Sequence, residues 1–125
     1  MANILLVDDS NFSRRVLRRI IEPAGHAIRE AADGLAALEQ YVLERPDLVL
    51  LDMNMEGMSG HDVLLKLREL DPQATVIVAT ADIQSSTRLL SRSQGASGFI
   101  AKPFIAENVL AVLENVLAGD GNASF

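Results

Sequence analysis

Cysteine is missing from this chain of 125 residues. That absence excludes a disulfide framework, a zinc–thiolate site and a cysteine nucleophile. Positive charge is scarce too: 11 Lys and Arg stand against 17 Asp and Glu, a formal net charge of -6. Recognition of a phosphate backbone needs a basic surface, so nucleic acid is excluded as the main partner. Long apolar runs are lacking. The longest are about strand length, far short of the roughly 20 residues that cross a bilayer. Met1-Ala2-Asn3 does not open a signal peptide. No membrane contact and a cytoplasmic location are therefore expected. Repeats, linkers and low-complexity stretches are also missing, which leaves one domain over 1–125, with a core of about 3–118 and a frayed tail at 119–125.

What the chain does have is 49% apolar residues, enough for one good core. They are grouped in a telling way. Leu48 to Leu51 is an unbroken aliphatic run, and a strand exposed on one face would alternate apolar with polar. This stretch therefore reads as a strand buried on both faces, and it ends on Asp52. Ile4 to Val7 is a second such run, stopping at Asp8-Asp9. Thr75 to Ala79 is a third, ending at Thr80. Phe99 to Ala101 is shorter and stops at Lys102-Pro103, and Ala27 to Ala31 is a weak strand with Ile28 its only large aliphatic.

Helical spacing fills the intervals. Ser10 or Asn11 caps a helix with Phe12, Val16, Leu17, Ile20 and Ile21 on its apolar face, ended by Pro23 and Gly25. Asp33-Gly34 opens a second, with Leu35, Leu38 and Val42 inward, which closes before Arg45-Pro46. A third runs from about His61 to Leu70 with Val63, Leu64, Leu67 and Leu70 inward. The segment Asp82 to Gln94 has helix length but few apolar residues. A last helix begins near Ala106 and buries Val109, Val112, Leu113 and Val116. The cluster Arg14, Arg15, Arg18 and Arg19 reads as a solvated helix face or as part of a docking surface. Neither His26 nor His61 has a partner placed for nucleophilic catalysis.

Strand and helix thus alternate five times, which predicts an α/β fold with parallel strands, right-handed crossovers and helices on both faces. All strands then end on one edge, where open parallel sheets bind their ligands. That edge receives Asp8, Asp9, Asp52, Thr80 and Lys102. Two carboxylates about 4 Å apart repel by roughly 4 kcal/mol at an effective dielectric near 20. Three of them must shift their pKa values, pair with a cation or bind a metal. Lys102 neutralises one, and a hard divalent ion suits the rest. An Asp carboxylate, Mg²⁺, a lysine and a hydroxyl are the parts needed to form an aspartyl phosphate, because phosphoryl transfer asks mainly for positioning and charge neutralisation.

The motifs Leu5-Leu6-Val7-Asp8-Asp9-Ser10, Leu50-Leu51-Asp52-Met53-Asn54-Met55, Val78-Ala79-Thr80-Ala81-Asp82 and Gly95 to Phe104 resemble the receiver domain of two-component response regulators. The likeness covers about Asn3 to Ala118 and holds the family's spacing at all four strand ends. It implies the flavodoxin-like (βα)5 arrangement with strand order 2-1-3-4-5. Asp52 would be the phosphoacceptor, served by a histidine kinase or a histidine phosphotransfer protein. Asp8, Asp9, Asp52 and the backbone carbonyl of Asn54 would hold Mg²⁺, with Mn²⁺ an alternative. Lys102 would contact the phosphoryl group, Ala81 would leave room beside it, and Thr80 and Phe99 would form the switch. A cis peptide at Lys102-Pro103 is implied as well. The output would pass through the surface of the fourth helix, fifth strand and fifth helix to an unidentified protein, from a monomer or weak dimer rather than an enzyme.

One position departs from the pattern. Glu56 stands where the family most often has proline, loosening the loop after Asp52 and adding negative charge near the site. Rival readings fare worse on the residues. A haloacid dehalogenase-like phosphatase would carry a second Asp where Asn54 stands. A flavin- or nucleotide-binding domain would have a Gly- or Thr-rich first loop in place of Asp8-Asp9. A degenerate receiver would lack some of the acceptor residues, all of which are here.

Overall fold

The computed structural model describes residues 1–81 and 90–119. Its five strands are β1 (Asn3–Val7), β2 (Ala27–Ala31), β3 (Leu48–Asp52), β4 (Val76–Thr80) and β5 (Gly98–Ala101). Every adjacent pair is parallel, in the order β2-β1-β3-β4-β5. Helices α1 (Asn11–Ile21), α2 (Gly34–Leu43) and α3 (Gly60–Leu70) connect them, a helix at Ala106–Leu117 closes the described chain, and residues 90–93 are helical. This is the flavodoxin-like α/β fold. The predicted helix from Asp82 lies largely outside the described residues, as does the tail beyond Gly119.

The sheet divides the core into two layers because successive strand residues face opposite sides. Leu5, Val7, Val49, Leu51, Val76 and Val78 pack with Ala37 and Tyr41 of α2 and Val63, Leu64 and Leu67 of α3. Ile4, Leu6, Leu48, Leu50, Ile77 and Ile100 pack with Leu17 and Ile21 of α1 and with Val109, Leu113 and Val116 of the last helix. All five residues of β3 and of β4 are buried, as a strand covered on both faces requires.

The helices start where the capping residues place them. The side chains of Ser10, Asp33 and Ser59 accept from the N–H three residues on, and Asp62 returns the bond to the Ser59 N–H in a capping box. At the other end of α2, the Tyr41 hydroxyl donates to Asp71 Oδ2 at 2.7 Å. Burial, with Asp71 beside it, pushes the Tyr41 phenol up to about 12.

The inward faces differ from the expectation in three helices. Phe12 is 71% exposed, and α1 buries Arg14 beside the expected Leu17 and Ile21. Leu35 and Val42 are exposed, while α2 turns Gly34, Ala37 and Tyr41 inward. Leu70 is 46% exposed at the end of α3. Which residues face the core is set by how each helix docks and not by apolar content alone. Where α2 approaches α3 closely the contact position is glycine, since a Cβ on Gly34 would press on Met58 and on Val63 Cγ2 at 2.9 Å.

Candidate functional site

β1 and β3 lie side by side in register, Val7 opposite Leu51, so their next residues reach the sheet edge together. Asp8 and Asp52 arrive there almost fully buried, each 2% exposed, while Asp9 is exposed. One carboxylate oxygen from each of Asp8, Asp9 and Asp52 lies within 4.8 Å of the others. β5 delivers Lys102 across the same edge, its Nζ 2.9 Å from Asp52 Oδ1 and 3.5 Å from Asp8 Oδ2. Among the described residues it is the one cation paired with these acids. The peptide between Lys102 and Pro103 is cis, as the resemblance implied.

Backbone N–H groups fix the acids in place. Ser10 N donates to Asp8 Oδ1 at 2.9 Å, Asn54 N to Asp52 Oδ1 at 3.1 Å and Glu56 N to Asp9 Oδ2 at 3.3 Å. The last bond exists because residue 56 is not proline, which has no N–H to give. Burial pushes the Asp8 carboxyl above its ordinary value of 3.8. The charges of Asp52 and Asp9 add to that rise, while the Ser10 N–H and Lys102 oppose it.

Thr80, at the end of β4, is 1% exposed, and its Oγ1 accepts a hydrogen bond from Asn54 Nδ2 at 3.1 Å. This side-chain link between the β3 and β4 loops was not legible in the sequence, which pointed only to the Asn54 carbonyl. Phe99 sits opposite Val78 in register, on the face of the sheet that β4 shares with Thr80, and is 6% exposed. Ala81 is exposed just beyond the strand. The edge therefore brings together Asp8, Asp9, Asp52, Asn54, Thr80 and Lys102, with Phe99 packed beneath in the core. Arg14 departs from its expected place on a solvated helix face or docking surface: it is buried behind the Asp8 backbone, with Glu30 as its counter-ion. An arginine in register with Leu17 and Ile21 was the available signal.

Three oxygen donors at this spacing, two of them buried, against one ammonium, fit a hard divalent ion. The donors are all oxygen, with no sulfur or imidazole to favour a softer metal. The loop behind them leaves little slack. Gly60 opens α3 against the peptide that follows Asp52, and a Cβ on it would overlap Met53 Cα and the Asp52 carbonyl oxygen, both backbone atoms. Gly60→Ala is accordingly expected to cost about 2–3 kcal/mol. In a domain of this size that lowers Tm by about 8 °C. A thermal melt within about 2 °C of the parent would show that the loop yields freely.

The response regulator receiver domain matches residues 4–114, and the chain belongs to that family of two-component signalling domains. It is 37% identical over 114 residues to chemotaxis protein CheY of Thermotoga maritima, covering 90% of this chain and 95% of that protein. With sporulation initiation phosphotransferase F of Bacillus subtilis it shares 36% identity over 114 residues, covering 91% and 92%. Among solved structures, chemotaxis protein CheY4 of Vibrio cholerae superposes with a TM-score of 0.88 at 30% identity, over 93% of this chain and 98% of that one.

Proposed function

We propose that this chain is a receiver that takes a phosphoryl group from a phosphohistidine onto Asp52 and passes the signal on by changing its surface. The observation that carries the reading is the buried Asp52 carboxylate with Lys102 Nζ at 2.9 Å and the oxygens of Asp8 and Asp9 gathered beside it. An Asp52 oxygen attacks phosphorus in line, an O–P bond forms and the P–N bond breaks. The electron pair goes to the imidazole nitrogen of the donor, a histidine kinase or histidine phosphotransfer protein. Asp8, Asp9, Asp52 and the Asn54 carbonyl would hold Mg²⁺ (or Mn²⁺), which when bound neutralises charge on the phosphoryl oxygens. Lys102 balances the charge at Asp52 itself.

The switch follows from what Thr80 now contacts. Its hydroxyl is held by Asn54 Nδ2. A phosphoryl oxygen on Asp52 offers the Thr80 O–H a charged acceptor, and a hydrogen bond to an ionised acceptor is stronger than a neutral one. Thr80 then moves toward the phosphoryl group, Ala81 leaves room beside it, and Phe99 turns into the space released. The surface of β5, the Ala106–Leu117 helix and the segment before β5 changes its affinity for an output protein. Phosphorylation acts only through its unequal contacts with the two states. We place the working unit over residues 3–118, in the cytoplasm, as a monomer or weak dimer. It assists its own phosphorylation and dephosphorylation rather than turning over an outside substrate. Among the described residues no helix is long and apolar enough to cross a membrane.

Incubation with acetyl phosphate and Mg²⁺ is expected to give one phosphoryl adduct by intact mass, removed by hydroxylamine as an acyl phosphate is. The adduct should not form in EDTA. An adduct that forms without divalent metal, or that survives hydroxylamine, would overturn the assignment.

A further inference from the structure

We infer that Arg14 is the positioning residue of the acidic loop: anchored on Glu30, its guanidinium holds the Asp8 backbone so that Asp8 and Asp9 face Asp52 at the spacing a divalent cation needs. This rests on the metal reading above and adds to it the group that sets the site's geometry from behind.

Arg14 is 9% exposed and occupies the inward stripe of α1 with Leu17 and Ile21. A buried guanidinium must find acceptors for its donors, and this one finds three, on β2, on the loop after β1 and at the start of its own helix. Nε donates to Glu30 Oε1 at 2.7 Å. One terminal nitrogen donates to the Asp8 carbonyl oxygen and the other to Asn11 Oδ1. Asp8 is held from the strand side too, its N–H donating to the carbonyl of Ala31, the residue after Glu30 on β2, at 3.2 Å. The peptide carrying the buried ligand is therefore clamped between α1 and the edge strand.

Glu30 is a firm anchor. Its second oxygen accepts from Arg18 Nε at 3.0 Å and Nη2 at 2.8 Å. Burial works against its charge, yet the hydrogen bonds from Arg18 and Arg14 prevail and hold the carboxyl below its ordinary 4.5. Glu30 thus stays ionised at neutral pH.

The fork geometry makes the role testable, because position and charge act on Mg²⁺ with opposite signs. A guanidinium behind three carboxylates repels an incoming cation, whereas its brace pre-sets the ligands. A lysine keeps the charge but cannot span three acceptors in one plane. Calorimetric titration of the unphosphorylated protein with Mg²⁺ alone, alongside thermal melts in EDTA, separates the cases. Arg14→Lys and Arg14→Ala should both weaken Mg²⁺ binding by about tenfold, the low end for partners that orient metal ligands. Asn11→Ala removes one arm at an exposed position, so the fold is kept, and should weaken binding less but in the same direction. If the melts fall while all three variants bind Mg²⁺ like the parent, Arg14 is only a strut and the inference fails. It fails equally if Arg14→Ala binds more tightly and Arg14→Lys is unchanged, which is the signature of charge alone. A parent protein that does not titrate with Mg²⁺ would instead bring down the metal reading itself.

Discussion

Asp52→Asn should reduce phosphorylation from acetyl phosphate to background while leaving the fold intact. The amide has nearly the shape of the carboxyl but no anionic oxygen to attack phosphorus. Its surroundings tolerate the change for a reason visible at the sheet edge. Lys102 Nζ already lies 3.5 Å from Asp8 Oδ2, so the ammonium keeps a partner when Asp52 becomes neutral. The Asn54 N–H can still donate to the side-chain carbonyl oxygen at residue 52. What disappears is the 2.9 Å ion pair with Lys102 together with repulsion among the acids, on the order of 4 kcal/mol for a pair 4 Å apart at an effective dielectric near 20, and the two losses offset. Asp52 is one of the charges that raise the Asp8 pKa, so Asp8 should titrate lower in the variant. In EDTA the variant is therefore expected to melt no lower than the parent, and Mg²⁺ should raise its Tm less, because one ligand has been lost. Intact mass after acetyl phosphate treatment reads the first effect, and melts with and without Mg²⁺ read the second. A variant that still acquires a hydroxylamine-sensitive adduct would move the acceptor to another carboxylate and remove Asp52 from its role.

The strands and the site they feed were legible because both depend on composition at short range. Four aliphatic residues ending in Asp52 read as a doubly covered strand, and parallel topology then collects strand ends on one edge. The β1–β3 register, Val7 opposite Leu51, comes only with the pairing itself. Which helix face turns inward was less legible. Apolar residues are common on surfaces, so exposed Phe12, Leu35 and Val42 look in sequence like their buried neighbours. Polar residues inside are the rarer and more informative case. Arg14 is buried only because Glu30, sixteen residues away, comes alongside it when β2 pairs with β1. The Asn54–Thr80 bond has the same origin, since it joins groups that meet only once β4 lies beside β3. Periodicity reports the element, and tertiary pairing decides what its polar residues touch.

Lys102→Met should cost about 3 kcal/mol near pH 7, because it leaves two buried carboxylates without their counter-ion. The side chains of Asp8 and Asp52 are 3% and 2% exposed, so water cannot replace the ammonium without opening the edge. Methionine keeps most of the stem's volume, which confines the loss to charge. The pH dependence tests this. Burial already holds the folded Asp8 pKa above 3.8, and Lys102 is one of the groups that restrain it, so in the variant it rises further. A carboxyl whose folded pKa exceeds its unfolded value weakens the fold above that folded pKa, and the penalty fades as pH falls through it toward 3.8. The deficit of the variant against the parent should thus be greatest near neutral pH and shrink as the pH falls toward 3.8, whereas a packing defect would persist unchanged. Millimolar Mg²⁺ should recover part of the loss near neutral pH, since a bound cation supplies the missing charge by mass action. Urea unfolding across that pH range, with Mg²⁺ or EDTA, measures all of this. A deficit indifferent to both pH and metal would mean that Lys102 supports the edge through its aliphatic stem, and that the acids are not held together by opposite charge.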